Sequence, residues 1–459
     1  MLGSIALEAI EKNRGRMDAL RMTIWENPEG PYREFHAAAE SIKALREAGF
    51  TVEEGLYKMP TSFKAVYGSG KPVIGLLAEY DALPAMSQKV STQREPVKAG
   101  EYGQGCGHNM LGVGHIAAAI GMKAEMEAKG LPGTVVVYGC PGEELLTGKA
   151  FMAREGAFTD LDIAFAWHPF NINDVCLNTM TGINSVKFHF KGRTAHAGGD
   201  PHNGRSALDA VELTSVGANY LREHVTSDVR IHYVITNGGV APNIVPDKAS
   251  VWYYVRAMRR DAVEEVYKRL VKVAEGAAHM TETQLEVEFV GGCYPTLNNP
   301  TLCQVLLDSM NEIPQEPWTE EEIAFAKELN DDMPAVREAN IQLSGAAPDS
   351  ELHYGVMGMN TNNGYASTDV GDVCHIVPTA TFNTACSSIG TPGHSWQFTC
   401  CSGHSIGEKG MNFAAKIMAH AGLRLIENPE LITQAKAEFD KVLSGKPYVC
   451  PIPAEIPVP

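Results

Sequence analysis

Three short runs of apolar residues mark the first part of the chain, at positions 73–78, 134–138 and 163–167. Each run is nearly continuous, which is typical of a strand buried on both faces. Helical periodicity precedes and separates them, at positions 4–25, 34–47, 111–129 and 149–155. An alternating segment at 51–67 predicts a further strand. This succession predicts an α/β domain built on a doubly wound mixed sheet with helices on both faces.

From residue 182 the pattern changes to alternating polar and apolar positions, which suits a sheet with one solvated face. Predicted elements follow in the order β-α-β-β-α-β, at 184–191, 207–222, 230–236, 249–257, 261–277 and 284–290. This order is the split βαβ, ferredoxin-like arrangement of a small α+β domain. We therefore expect an inserted domain over 182–292, within a larger domain formed by 1–181 and 293–459.

The last third of the chain is less regular. Glycine and asparagine are frequent up to about position 365, and an apolar piece follows the acidic motif at 367–372. The predicted helices there are 301–311, 319–330, 405–425 and 429–443. The proline-rich end, 447–459, predicts an extended segment that lies on the surface or docks on it.

The net charge and the composition limit the classes of function and partner that the chain can have. The 459 residues carry a formal net charge of −17, which argues against nucleic acid or an anionic membrane as partner. The chain contains no apolar run long enough for a transmembrane helix, and its first residues lack the apolar stretch of a signal peptide. The ten cysteines are scattered. We therefore expect a cytoplasmic protein whose cysteines are ligands, nucleophiles or core residues.

The loop around Cys106 and His108 brings a thiol and an imidazole two residues apart, with glycines on either side. Two such groups before a helix suit a transition metal such as zinc. Alone, the pair favours a buried structural cysteine and a surface histidine over a metal site, because buried inert cysteine is common.

Further candidate ligands follow the predicted strands, and each has a structural alternative. These residues are Asp81, Glu143, Glu144, His168 and, much later, His394. The aspartate suits a turn cap, the two glutamates the first turn of a helix, and the histidines loops. Three successive βα units nevertheless place carboxylate, thiol or imidazole side chains at one edge of the sheet, which is where α/β sheets bind ligands. Adjacent glutamates also suit hydrolysis, because one can bind metal while the other takes a proton from water.

Together these motifs resemble the aminoacylase/carboxypeptidase family of di-metal amidohydrolases, over nearly the whole chain and in order. The similarity is greatest to the aminobenzoyl-glutamate hydrolase branch. The segments that carry it are Ala-Glu-Tyr-Asp-Ala-Leu-Pro (78–84), Gly-Cys-Gly-His-Asn (105–109), Pro-Gly-Glu-Glu (141–144), Trp-His-Pro (167–169), Thr-Ala-His-Ala (194–197), Ser-Thr-Asp-Val-Gly-Asp (367–372), Gly-His-Ser-Trp-Gln (393–397), Lys-Gly-Met (409–411) and Cys-Pro-Ile-Pro (450–453).

The resemblance implies a di-metal catalytic domain, with zinc or manganese as the two divalent ions. The implied ligands are Cys106, which would bridge the metals, and His108, Glu144, His168 and His394. Glu143 would be the general base. Asp81 would fix the orientation of a ligand.

For the inserted domain the resemblance implies dimerisation and substrate binding. His196 would reach the active site of the other protomer of a homodimer and stabilise the oxyanion. Asn243 and Arg256 would hold the substrate carboxylate, a task for which arginine is suited by its bidentate geometry. Arg256 is also compatible with a plain surface charge on a strand.

Four residues depart from the family pattern or fall outside it. Asn109 stands where many relatives have aspartate, and Gln104 where histidine is frequent. His115 lies about two helical turns beyond His108, a spacing that allows it to face the site, but we expect a buried packing residue there. His404 stands beside a helix start, where we expect a capping role.

The resulting prediction is a metal-dependent amide hydrolase that cleaves an N-acyl amino acid such as aminobenzoyl-glutamate. A dipeptidase or an aromatic amidohydrolase on the same core is the enzymatic alternative. A catalytically silent metal-binding scaffold and a cysteine-based thiol enzyme are the alternatives from other classes. A free glutamate at position 143 argues against the scaffold, because a structural metal site needs no base.

Overall fold

The computed structural model describes residues 3–459. Its strands are β1 (Thr51–Glu54), β2 (Phe63–Ser69), β3 (Val73–Ala78), β4 (Gly133–Gly139), β5 (Ile163–Phe170), β6 (Asp174–Cys176), β7 (Gly182–Lys191), β8 (Arg230–Asn237), β9 (Lys248–Ala257), β10 (Gln284–Cys293), β11 (Met359–Asn360) and β12 (Thr379–Ala385). Its α-helices are α1 (Ser4–Glu26), α2 (Phe35–Glu47), α3 (His108–Lys129), α4 (Gly148–Arg154), α5 (Ala207–Leu221), α6 (Arg260–Thr281), α7 (Pro300–Glu312), α8 (Glu320–Asp331), α9 (Pro334–Ser344), α10 (Val370–Cys374), α11 (Trp396–Gly403), α12 (Ser405–Glu427) and α13 (Pro429–Leu443).

The larger sheet has eight strands in the order β1-β2-β4-β3-β5-β12-β6-β11. Its centre is parallel, since β3 pairs in parallel with β4 and β5, and β5 with β12. The pairs β1–β2, β2–β4 and β12–β6 are antiparallel. The sheet is therefore mixed, as the sequence predicted.

Both faces of this sheet are buried, and successive strand residues divide between two cores. In β3, Ile74 and Leu76 belong to the core formed with α1, α3 and α12, while Leu77 belongs to the opposite core with Phe151 of α4. Continuous apolar runs are required for this arrangement because every side chain of the strand meets a helix or loop. Helices on both faces agree with the predicted doubly wound architecture.

The second sheet has four antiparallel strands in the order β10-β7-β9-β8. Helices α5 and α6 pack against it and against each other. They enclose a separate core with apolar residues from the strands, such as Phe188 and Val251. The chain order β-α-β-β-α-β is the one expected for this segment.

Several elements differ from the sequence-based prediction. The predicted strand at 51–67 is a hairpin, in which β1 and β2 pair antiparallel around a turn at 55–62. Helix α3 begins at His108 rather than at 111, and β5 continues to Phe170. Helices α9 and α11 were not predicted, and the apolar piece after position 372 includes β12, a central strand of the large sheet.

The chain end docks on the larger domain, with Ile452 buried. The guanidinium of Arg154 donates to the carbonyl oxygens of Pro453 (3.0 Å) and Ile456 (2.9 Å). All ten cysteines are free. Within residues 3–459, no helix combines the length and the apolar character needed to cross a membrane.

Candidate functional site

The candidate site lies where three parallel strands end. Glu79 and Asp81 follow β3, Glu143 and Glu144 follow β4, and His168 stands near the end of β5. Because β3 is parallel to both neighbours, these ends meet at one edge of the sheet. The sequence-based placement of these residues at a common edge therefore agrees with the structure.

The Cys106–His108 loop reaches the same edge through a tight turn. Gly107 has φ of 78°, and a Cβ there would lie 2.9 Å from both Phe398 and Pro169 side-chain atoms. Only glycine suits that position, for its left-handed backbone and for its lack of a side chain. The turn makes His108 the first residue of α3 and buries its ring completely.

Thiol, imidazole and carboxylate groups converge at this place. The Cys106 Sγ lies 3.3 Å from His168 Nε2, and His394 Nε2 lies 3.7 Å from a Glu144 oxygen. Two groups of potential ligand atoms each fit within 4.8 Å: Cys106 with His108 and His168, and Cys106 with Glu144 and His394. Cys106 is common to both groups, which is the position expected of a bridging ligand.

Asp81 connects two of these groups from behind. One carboxylate oxygen accepts a hydrogen bond from His108 Nδ1 at 2.9 Å, and the other accepts the backbone N–H of Glu144 at 2.9 Å. The first bond places a ring proton of His108 on Nδ1, so in the neutral imidazole the lone pair is on Nε2, which faces the cluster. Asp81 therefore lies where the resemblance implied an orienting residue.

Two buried polar atoms in the cluster have no hydrogen-bond partner among the described residues: His108 Nε2 and Glu144 Oε1. Orphaned buried acceptors are costly, and such groups in a native structure call for an explanation. A thiol, three imidazoles and a carboxylate are the donors that zinc and similar transition metals prefer. The residues present therefore fit a metal centre.

Burial gives these ligands distinct protonation behaviour. It lowers the pKa of His168 to about 4, helped by nearby His108, so the His168 imidazole is neutral and able to ligate. Burial raises the pKa of Glu144 to about 7, with Asp81 adding to the rise and His108 opposing it. Burial and the Glu144 charge also raise the pKa of the Cys106 thiol. A cation bound among these groups would favour their deprotonated forms.

Glu143 lies beside the ligands on a short 3₁₀ turn. The turn follows Gly142, which has φ of 73° and whose Cβ, if present, would lie 2.5 Å from Cζ of Tyr32. The Gly142 N–H donates to the buried carboxylate of Glu34 at 2.9 Å, which fixes the turn. Burial and the charges of Glu79 and other neighbouring carboxylates hold the pKa of Glu143 well above its ordinary value.

Sequence reasoning assigned no role to a second layer of charged residues. Glu79 forms a third group of potential ligands with His108 and Glu143. Behind it lies the ammonium of Lys149, which is fully buried and contacts Glu79 and Asp369. Burial lowers the pKa of Lys149, but these two carboxylates outweigh that effect and raise it well above the usual range. Glu79 and Asp369 lie within the sequence motifs 78–84 and 367–372, whereas no sequence motif pointed to Lys149.

Two candidate residues of the smaller domain lie together and are exposed. The N–H of Ala197, next to His196, donates to the carbonyl of Asn243 at 3.0 Å. The ring Nδ1 of His196 accepts the N–H groups of Gly198 (3.1 Å) and Gly199 (3.0 Å). The ring proton therefore sits on Nε2. Among residues 3–459, no hydrogen bond joins this pair to the Cys106 cluster.

Arg256 on β9 contacts the larger domain. Its guanidinium donates to the carbonyl of Tyr365 and to the hydroxyl of Ser367, both at 3.1 Å. Arg230 stands directly opposite on β8, and its guanidinium lies 3.9 Å from the centre of the Tyr365 ring. In the described part of the chain, neither arginine has a carboxylate within ion-pair distance.

The departures from the family pattern have structural explanations. Asn109 points away from the cluster and donates to the carbonyl of Ser402 at 3.0 Å, a bond that aspartate could not make. Gln104 accepts the Asn109 N–H at 3.1 Å. His115 is buried and bonded to the Leu111 carbonyl at 2.8 Å. His404 is the N-cap of α12, as expected.

Comparison with known proteins gives a consistent result. The sequence model of a peptidase dimerisation domain matches residues 178–282. The chain is 41% identical to a p-aminobenzoyl-glutamate hydrolase subunit of Escherichia coli, over 98% of this chain and 97% of that protein. It is 28% identical to the Xaa-Arg dipeptidase of Mus musculus, over 95% and 91% of the two chains.

Solved structures share the fold. An aminobenzoyl-glutamate utilization protein from Klebsiella pneumoniae matches with a TM-score of 0.62 and 16% identity, over 91% of this chain and 97% of that one. A Bacillus subtilis protein described as a dinuclear metal binding peptidase of the M20 family matches with a TM-score of 0.60 and 16% identity, over 91% and 99%.

Proposed function

This chain belongs to the M20 peptidase family of amide-bond hydrolases, and we propose that it cleaves an N-acyl amino acid, with p-aminobenzoyl-glutamate as the specific candidate. The observation that carries the proposal is the convergence of four potential ligands, His108, Glu144, His168 and His394, on Cys106, with the carboxyl group of Glu143 nearby. An aroyl amino acid is favoured because the relative that is 41% identical is named for one.

The metal centre would be held by the five residues that the family resemblance implied. They are Cys106, His108, Glu144, His168 and His394, and the orphaned atoms His108 Nε2 and Glu144 Oε1 would gain partners. The thiol favours zinc, whereas the imidazoles and the carboxylate suit zinc or manganese equally. When bound, the two ions supply the Lewis acidity that activates water and polarises the substrate carbonyl.

Glu143 performs the proton transfers. Its carboxylate takes the proton of the attacking water and later returns it to the amide nitrogen that leaves. A carboxyl group with a raised pKa suits both steps, because it binds the proton firmly enough to carry it between them. Burial and the charges of neighbouring carboxylates supply that rise.

His196 stabilises the oxyanion in the active site of a second protomer. Its Nδ1 is occupied by two backbone N–H groups, so Nε2–H is the donor available for the developing negative charge. The exposure of the ring, and its position on the smaller domain, support an action across a subunit boundary. Asn243, its neighbour, would contact the same substrate.

The substrate carboxylate would bind at Arg256. Together with Arg230 it forms a pair of cations that face each other across β8 and β9. Like charges directly opposite in a sheet are unfavourable unless an anion intervenes. This pair favours an anionic amino acid over the cationic one named for the Xaa-Arg dipeptidase, and dipeptide cleavage remains the second candidate.

A dimer would form through the smaller domain, over 182–292. Strand β8 is one of the two edge strands of its sheet, and an open edge pairs readily with another chain. The apolar side chains exposed on β8 and α5 include Val234, Ile235, Val216 and Tyr220. A homodimer is proposed, and a complex with a different subunit is the alternative, since the Escherichia coli relative is named as a subunit.

Chelation with rescue tests this function. The purified protein is stripped with a chelator and assayed on p-aminobenzoyl-glutamate, an N-acyl amino acid and an Xaa-Arg dipeptide, before and after Zn²⁺ or Mn²⁺ is restored. We expect hydrolysis of the aroyl substrate to disappear and return. Glu143→Gln should lower kcat by about 10²–10⁴-fold while metal content stays at two per chain. Hydrolysis that survives chelation would support the thiol enzyme instead.

A further inference from the structure

A buried ammonium group lies directly behind the proposed metal centre. Lys149 is the second residue of α4, and its side chain is fully buried. Its Nζ lies 2.5 Å from Glu79 Oε1 and 2.6 Å from Asp369 Oδ1. The backbone N–H of Lys149 donates to the second oxygen of Asp369 at 2.8 Å. The lysine is thus held at both ends by the same aspartate.

Glu79 uses its two oxygens differently. The Oε1 atom is held by Lys149, whereas Oε2 lies 3.5 Å from His108 Nε2. That nitrogen is the buried, unpartnered atom directed into the cluster. Potential ligand atoms of Glu79, His108 and Glu143 lie within 4.8 Å of one another. The free oxygen of Glu79 therefore faces the position that a cation on His108 would occupy.

A purely stabilising role explains this arrangement poorly. Burying an ammonium and two carboxylates costs desolvation energy that ion pairing often fails to return, and apolar residues of similar volume are frequently as good. If the ion pair only stabilised the fold, both oxygens of Glu79 could face the ammonium of Lys149. Instead one oxygen is directed at an unpartnered imidazole.

We propose that Lys149 is a positioning residue of the metal centre: anchored by Asp369, it holds Glu79 so that its Oε2 serves the metal position at His108 Nε2. Glu79 is then an additional protein group at that position, beyond the five ligands named above. The inference rests on the proposed function, because it requires that metal binds in this cluster.

Metal binding followed by spectroscopy tests the inference without an activity assay. Metal-free protein is titrated with Co²⁺, and the visible ligand-field bands and the heat of binding are recorded for the wild type, Lys149→Met, Glu79→Gln and the double variant. We expect each single variant to bind one of the two Co²⁺ ions at least about tenfold more weakly, with a shifted band. The double variant should be no weaker than the weaker single one, because the residues act as a unit.

Lys409→Met is the matched control. Lys409 is also largely buried and pairs with a buried carboxylate, Glu322, at 2.7 Å, but it contacts none of the cluster residues. It should bind both ions as the wild type does. Far-UV circular dichroism of the metal-free variants checks folding, and if Lys149→Met does not fold, Glu79→Gln decides alone, since it leaves the Lys149–Asp369 pair in place.

The outcomes separate the two proposals. A wild-type protein that binds fewer than two Co²⁺ ions contradicts the proposed metal centre itself. A wild type that binds two, with folded Lys149→Met and Glu79→Gln proteins that keep its affinity and spectrum, overturns the role of Lys149 alone. A loss of affinity in the Lys409 variant as large as in Lys149→Met would also overturn it, because any broken buried ion pair would then have the same effect.

Discussion

Replacing Asp81 by asparagine tests how far the proposed metal centre depends on the carboxylate behind its ligands. Asp81 is completely buried and accepts two hydrogen bonds, from His108 Nδ1 and from the Glu144 N–H, both at 2.9 Å. Asparagine keeps one acceptor oxygen, but its amide NH₂ must then face the other donor. One of the two ligands therefore loses its orienting bond and meets a repulsive contact.

The expected cost follows from the bond that is lost. A hydrogen bond to a charged group contributes about 1.5–3 kcal/mol. Loss of such a partner behind a metal ligand typically lowers metal affinity about 10–100-fold, which corresponds to about 1.4–2.8 kcal/mol. The two ranges agree, so Asp81→Asn should weaken metal binding by one to two orders of magnitude.

Competition with a chelator of known affinity measures this loss in the wild type and the variant. Asp174→Asn is the control, because Asp174 is also buried and accepts two side-chain bonds, from Asn383 (2.7 Å) and Asn360 (3.2 Å), away from the cluster. It should lower the thermal unfolding midpoint and leave metal affinity unchanged. An Asp81→Asn protein with metal affinity within about twofold of the wild type would refute the reasoning.

Three further changes have defined outcomes. Burial lowers the pKa of His353 to about 4 from an ordinary 6.5; the native state therefore resists protonation, and stability is lost as the pH falls from 6.5 towards 4. The loss in the free energy of unfolding approaches about 3 kcal/mol. Urea unfolding measured between pH 6.5 and 4 should show a smaller loss for His353→Asn than for the wild type. Arg256→Met should raise KM for p-aminobenzoyl-glutamate about tenfold to a hundredfold, with less effect on a substrate that lacks a carboxylate; equal effects on both would contradict the assignment. Gly142→Ala places a Cβ 2.5 Å from Tyr32 at a φ of 73°, so it should destabilise the fold by roughly 1–3 kcal/mol and lower kcat by displacing Glu143; an unchanged kcat would show that the turn does not position the base.

The central strands and the sheet edge were predictable because their signal is local. A strand covered on both faces needs consecutive apolar residues, and β3, β4 and β5 have them. The sequence shows β12 only as an apolar piece, since polar residues such as Thr381 and Asn383 interrupt its run. These side chains lie beside β6, where Asn383 bonds Asp174. The polar Asn383 is tolerated inside the strand because the neighbouring strand β6 supplies its partner, and the local sequence around β12 does not reveal that strand.

The charged layer behind the site was not predictable from local sequence. Lysine is rarely buried, and Lys149 stands in a short helix whose pattern predicts nothing unusual. It is buried because Asp369, 220 positions away in sequence, and Glu79 meet it in space. Glu34 is similar, since its carboxylate is fully occupied by the backbone of Tyr32 and Gly142 and by the hydroxyl of Thr61. Apart from the local bond between Tyr32 and Glu34, these pairings depend on tertiary contacts.

The position of Glu143 favours a catalytic centre over a structural metal site. A structural metal site closes its coordination with protein ligands and gains nothing from a further carboxylate beside them. In this chain Glu143 directly precedes Glu144, and Glu34 fixes the turn that joins both residues to β4. Burial and neighbouring carboxylates raise the pKa of the Glu143 carboxyl group. An unneeded carboxylate in that environment would cost stability, because burial and like charges both oppose its ionisation. The proposed proton transfer would account for its placement, because that step requires a carboxyl group that gains and releases a proton beside the substrate.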